Sequence, residues 1–204
     1  MTTFIRTMVA NYVNFPMFSK GLDSWGHSGK GQFRDIQNVG RAWEERYPPI
    51  RFNDENHRAF IAQINKFWRE RTIFTIVHPS LKTPLGTISG NLYFYAPSGE
   101  QTGSIIQVSS SVSSQVAFVG SLKAGDIIKI AGSNIVYDIT ETATNATSLK
   151  ISPPLYTGNG IVDDAIITYT GVTFRAVLSG QIKMPSAEAD HIYSGLSLSF
   201  REAP

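Results

Sequence analysis

Residues 120–140 read Gly120-Ser121-Leu122-Lys123-Ala124-Gly125-Asp126-Ile127-Ile128-Lys129-Ile130-Ala131-Gly132-Ser133-Asn134-Ile135-Val136-Tyr137-Asp138-Ile139-Thr140. Two runs rich in β-branched residues, 126–130 and 135–140, flank Gly132-Ser133-Asn134, a small polar trio suited to a chain reversal, and this is the clearest hairpin in the chain. Outward from it, further short strand-forming runs fall at 92–95, 104–108, 115–119, 148–151 and 165–168, separated by turn residues. The stretch 86–168 therefore predicts a small module built of strands alone.

The flanks read differently. After Asn53 and Asp54, apolar residues recur at Phe60, Ile61, Ile64, Phe67 and Trp68, the spacing of one helical face. Asn53 or Asp54 can cap the first turn, and Lys66, Arg69 and Arg71 suit the negative end of the helix dipole, so a helix is predicted over 54–70. Phe60, Ile64, Phe67 and Trp68 are its expected core residues. A strand over 72–77 follows, and Pro79 and Pro84 stop it. The runs 172–178 and 196–200 supply strands again, with a break at Pro185.

Charge changes at the same borders: residues 1–85 hold 12 Lys and Arg against 7 Asp and Glu, whereas 86–168 hold 3 against 6. The expected architecture is β-rich α+β. Residues 1–85 and 169–204 form a discontinuous β-sandwich core with one helix, interrupted by a β-barrel module, OB-like or galectin-like, over 86–168.

Composition limits the functions. The chain has 204 residues, 42% of them hydrophobic, enough to bury a core without staples, and no cysteine, which excludes disulfides and thiolate zinc sites. A formal charge of +2 is too small to drive nucleic-acid binding, and no run of apolar residues is long enough to span a bilayer. No targeting signal is visible at residues 4–18, where Arg6, Asn11 and Asn14 interrupt the apolar residues.

No catalytic constellation emerges. Gly26-His27-Ser28-Gly29-Lys30-Gly31 has glycines before a lysine but lacks the spacing of a phosphate-binding loop, and it reads as a surface loop. His27, His57, His78 and His191 are scattered without zinc-type pairing; His57 reads as a solvent-facing first-turn residue and His78 as a strand end. Glu44-Glu45 and Asp163-Asp164 are neighbours on opposite faces of a strand, unable to oppose one another across a glycosidic bond, and they read as solvated charge. Asn145-Ala146-Thr147 reads as a turn. Trp25, Trp43, Tyr93, Phe94 and Tyr95 could stack on sugars, but packing is the more economical reading. No cofactor or metal is implied.

Three stretches resemble one family. Residues 55–86, with a helix, a strand and then Pro79 and Pro84-Leu85-Gly86, are similar to the segment preceding the insert in bacteriophage distal-tail and baseplate-hub proteins. The run 120–130, then Ile135-Val136-Tyr137-Asp138-Ile139 and Leu149-Lys150-Ile151-Ser152-Pro153-Pro154-Leu155, resembles the insert itself, with Gly125, Asp126, Tyr137, Pro153 and Pro154 as its turn and strand motif. Phe174-Arg175-Ala176-Val177 and the stretch 192–203 are similar to the closing strands. The resemblance implies a structural protein of the virion tail, a homohexameric ring whose β-rich belt joins the tail tube protein to the tip and receptor-binding proteins. Its alternative is a module that binds host carbohydrate during attachment. An enzyme, a membrane and a specific nucleic-acid partner are not expected.

Overall fold

In the computed structural model the described residues are Ala10, 41–51, 54–183, 186–187 and 192–203, with the short strands Thr2–Thr3, Tyr12–Val13, Met17–Phe18, Asp23–Trp25 and Gly31–Phe33. The loop 26–30, His191, Asn53 and Pro185 lie outside them, as does the side chain of Trp25. The chain is strand-rich and divides into two compact units, one formed by Met1–Ile76 with Arg175–Pro204, the other by Val77–Phe174.

The first unit is organised by a sheet with strand order Thr2–Thr3, Phe74–Val77, Thr173–Lys183, Ser197–Glu202, Arg41–Arg46, Tyr12–Val13. Its central pair is antiparallel, with Phe200 opposite Trp43 and Leu198 opposite Glu45. The helix Glu55–Glu70 begins where expected: the Asp54 carboxylate accepts from the amides of Asn56 and His57 at 2.8 and 3.3 Å. It ends at Arg71, whose φ of 51° takes the chain out of the helix.

Phe60, Ile61, Ile64 and Phe67 are buried. Phe67 stacks on Phe74 at 5.0 Å, Phe74 meets Phe200 edge-on at 6.1 Å, and Phe200 stacks on Trp43 at 5.3 Å, so rings connect helix to sheet. Trp68 differs from its expected place in the core. It is half-buried beneath the Arg71 guanidinium, 5.2 Å from its ring centre, because the apolar stripe at this turn is narrower than the run of apolar letters.

Glu44-Glu45 corrects another expectation. Their side chains do alternate across the strand, but Glu45 is fully buried rather than solvated, accepting from Trp43 Nε1 at 3.1 Å and Tyr47 OH at 2.6 Å. Glu202, also buried, accepts the amide of Arg41 at 3.1 Å.

The second unit is a nearly closed, barrel-like sheet in the order Tyr93–Phe94, Gly103–Ser109, Ser148–Leu155, Val136–Ile139, Ile127–Ile130, Ile167–Thr168. A bridge between Tyr93 and Ile166 brings its two ends together, supported by Phe94 N to Ala165 O and Ile167 N to Leu92 O, both 2.8 Å. Leu92, Phe94, Ile106, Val108, Phe118 and Ile128 are among the residues that fill its interior. A three-stranded sheet of Ala143–Thr144, Val119–Leu122 and Thr87–Ser89 completes the unit.

The hairpin about Gly132-Ser133-Asn134 pairs Ile128 with Tyr137. Buried Tyr137 reaches Ser133 Oγ with its hydroxyl at 3.0 Å. Pro153 and Pro154 extend the Ser148–Leu155 strand beyond the expected 148–151; they fall where its register with Gly103–Ser109 breaks, so their missing N–H groups cost no ladder bonds. The strand expected at 115–119 begins only at Val119, and Thr87–Ser89 and Ala143–Thr144 are too short for pattern reading to find.

This unit takes in more chain than the 86–168 read from composition, because its entry and exit are tied into it. The buried Asp126 carboxylate accepts from the amides of Leu85, Gly86 and Lys123 at 2.6, 3.1 and 2.8 Å, and Gly171 N donates to Lys82 O at 2.8 Å. Backbones pass so closely here that a Cβ on Gly86 would lie 2.1 Å from Ser121 O, and one on Gly120 2.1 Å from Thr87 O.

Two outcomes follow. Phe60→Ala should cost about 3–5 kcal/mol in chemical denaturation, since it empties a fully buried site, and Trp68→Ala only about 1–2 kcal/mol; equal losses would place Trp68 in the core after all. Residues 77–174 expressed alone should unfold cooperatively on heating, with a dispersed amide spectrum beforehand.

Candidate functional site

The outer face of the second unit concentrates groups that its interior does not use. Along Tyr93–Phe94 and the residues beside it, side chains alternate: Leu92, Phe94 and Ala96 are buried, while Tyr93 and Tyr95 are half-buried on the opposite side. The neighbouring Gly103–Ser109 strand does the same, burying Ile106 and Val108 and turning Ile105 and Gln107 outward.

Register sets these residues beside one another. Tyr93 is opposite Ser109 on one side and Ile166 on the other, and Tyr95 N donates to Gln107 O at 3.0 Å. Gln101 fixes the second junction from outside the ladder: its Nε2 donates to Tyr95 O, and its Oε1 accepts from Gln107 N at 2.7 Å. Asn91 Nδ2 donates to the Tyr93 hydroxyl at 3.2 Å.

Ser109 should face out by alternation, yet it is fully buried because the segment after it folds over. Its Oγ accepts from Ser111 N and Val116 N at 3.0 Å each and donates to Ser114 O at 2.5 Å. The turn at Ser113, φ 60°, is held by the Asp164 carboxylate, which accepts from Ser113 N at 3.0 Å and from its hydroxyl at 3.2 Å. So anchored, the segment brings Gln115 to the face, where its Nε2 donates to Gln107 Oε1 at 2.9 Å.

Asp163-Asp164 is accordingly not idle solvated charge. Asp163 accepts the Ala96 amide at 2.5 Å, and both carboxylates hold backbone that borders the face. Asn145, φ 47°, serves the turn expected of it, exchanging bonds with Gly120 through its own amide and side chain, each at 2.9 Å.

The residues singled out by sequence separate into framework and surface. Gly125, Asp126, Tyr137, Pro153 and Pro154 shape the second unit, and Phe60, Ile64 and Phe67 with the half-buried Trp68 belong to the helix of the first; none belongs to the strands that carry Tyr93 and Gln107. Of the five aromatics weighed as a sugar platform, Trp43 and Phe94 are buried, Tyr93 and Tyr95 are half-buried, and the side chain of Trp25 lies outside the described residues. His57 accepts the Arg51 amide on Nδ1 at 2.9 Å, and His78 is buried. Among the described residues no group of His, Cys, Asp or Glu is placed to hold a metal, and no helix is long and apolar enough to cross a membrane. Gln101, Gln107 and Gln115 went unnoticed in the sequence; the period-2 alternation of 104–108 was the signal for the second of them.

Ser109→Ala should leave the amides of Ser111 and Val116 without their acceptor and cost roughly 1–3 kcal/mol, with faster hydrogen exchange confined to residues 110–116. Protection there equal to wild type would mean that Ser109 does not anchor the segment. Compared with known protein families and with curated proteins, the chain matches none, so the face is read from its own chemistry.

Proposed function

We propose that this chain is a structural tail protein of a tailed bacteriophage, a ring-forming adaptor between the tail tube and the tip or receptor-binding assembly. The observation that carries the reading is the division of the chain: both ends contribute to one compact, sheet-based unit, and the segment between them forms another. That is the organisation expected of a belt domain with a small β-barrel, OB-like or galectin-like, inserted into it. The motif residues Gly125, Asp126, Tyr137, Pro153 and Pro154 all fall in structural positions of the inserted unit, consistent with a role in shape rather than chemistry.

In this reading the belt sandwich meets its own copies laterally, most simply as a homohexamer, and tube and tip proteins axially. A heterologous contact that closes by rotation yields such a ring. The protein is made in the bacterial host cytoplasm and resides in the virion tail.

Cryo-microscopy of virions tests this directly. The chain is expected as a six-fold ring at the distal end of the tail tube, and deletion of its gene should give filled heads without infectious tails. A location in the capsid, or complete infectious tails assembled without it, would contradict the proposal.

A further inference from the structure

The geometry points to the Tyr93–Tyr95 face of the second unit as a binding site for a neutral oligosaccharide. This assignment concerns that unit alone and stands whether or not the chain forms a ring.

Three observations converge on a sugar. Tyr93 and Tyr95 share one side of the sheet, half-buried, and the accessible part of each ring offers aromatic carbon to the C–H face of a pyranose ring. Beside them are two side-chain amides: Gln107 and Gln115 use one Oε1 and one Nε2 on each other, which leaves Gln107 Nε2 as a donor and Gln115 Oε1 as an acceptor for ligand hydroxyls. Finally, the arrangement is held in advance, with Gln101 bridging Tyr95 to Gln107 and Ser109 and Asp164 anchoring the segment that carries Gln115. A site ordered before binding loses little entropy when occupied.

Aromatic side chains on a sheet face also stack on single-stranded nucleic acid, and charge decides between the two. Residues 77–174 contain four lysines and no arginine against six carboxylates. The cation nearest in register, Lys150 opposite Ile105, is paired with Glu141 at 2.6 Å, and Lys129 donates to Thr173 O at 2.9 Å. Asp164 borders the face with a negative charge. Phosphates would find no counterion there, whereas an uncharged polyol needs none.

The test uses the full chain, labelled with nitrogen-15 and titrated separately with cellohexaose, chitohexaose, maltohexaose and oligothymidylate. At least one saccharide is expected to shift the amides of 93–95, 105–107 and 115 at millimolar concentration, and oligothymidylate to shift none of them. Tyr95→Ala should weaken that saccharide at least tenfold. Gln115 is exposed, so Gln115→Ala keeps the fold and should weaken it severalfold. Absence of shifts with all three saccharides, shifts that map elsewhere, full affinity in both variants, or a response to oligothymidylate instead would overturn the assignment.

Discussion

Asp126 sets a buried carboxylate against the amides of Leu85, Gly86 and Lys123, and the second unit takes its form from that contact. Such bonds to a carboxylate contribute roughly 1.5–3 kcal/mol each, and a buried amide that loses its acceptor costs about as much again. They hold the entering chain against the turn at Lys123-Ala124-Gly125. Only glycine at 86 and 120 lets the two backbones approach as they do. From there the sheet runs out of sequence order, through the hairpin of Ile127–Ile130 and Val136–Ile139, until its two ends join where Tyr93 meets Ile166. The outward side of that meeting place carries the tyrosines, so the proposed binding face depends on a latch just ahead of a different strand, Ile127–Ile130.

The first unit is held by another kind of contact. Its rings, Phe67, Phe74, Phe200 and Trp43, connect helix to sheet through apolar surface. Yet the same sheet buries Glu45, which is tolerated because Trp43 and Tyr47 donate to its two oxygens. Both donors lie two residues away along the same chain, so these bonds order the side chains of one strand.

Much of this was legible in the sequence, for physical reasons that differ from place to place. The helix was clear because cap, dipole and period agree at Asp54 and along Phe60, Ile64 and Phe67. The hairpin about Gly132-Ser133-Asn134 was clear because its turn chemistry is local. Trp68 was misplaced because spacing shows which side a residue is on, not how far the neighbouring layer extends. Glu45 was misread as solvated because its partners, two residues away on either side, look like ordinary core aromatics. The strand at 119–122 was displaced in prediction because Ser109 diverts the preceding segment, an effect of one buried hydroxyl. The binding face was the least legible part, since Gln107 and Gln115 become neighbours only through that diversion.

The two units should unfold as separate cooperative bodies, one of them built from both ends of the sequence and the other latched at its entry by Asp126. Native-state hydrogen exchange on the whole chain measures this directly. The amides of Leu85, Gly86 and Lys123 should open in one transition with the interior of the second unit, such as Ile128 and Val108, and apart from Phe67 and Phe200. A single transition shared by all of them would contradict two separate cooperative bodies, and early exchange of Leu85 and Gly86 while Ile128 stays protected would contradict the Asp126 latch.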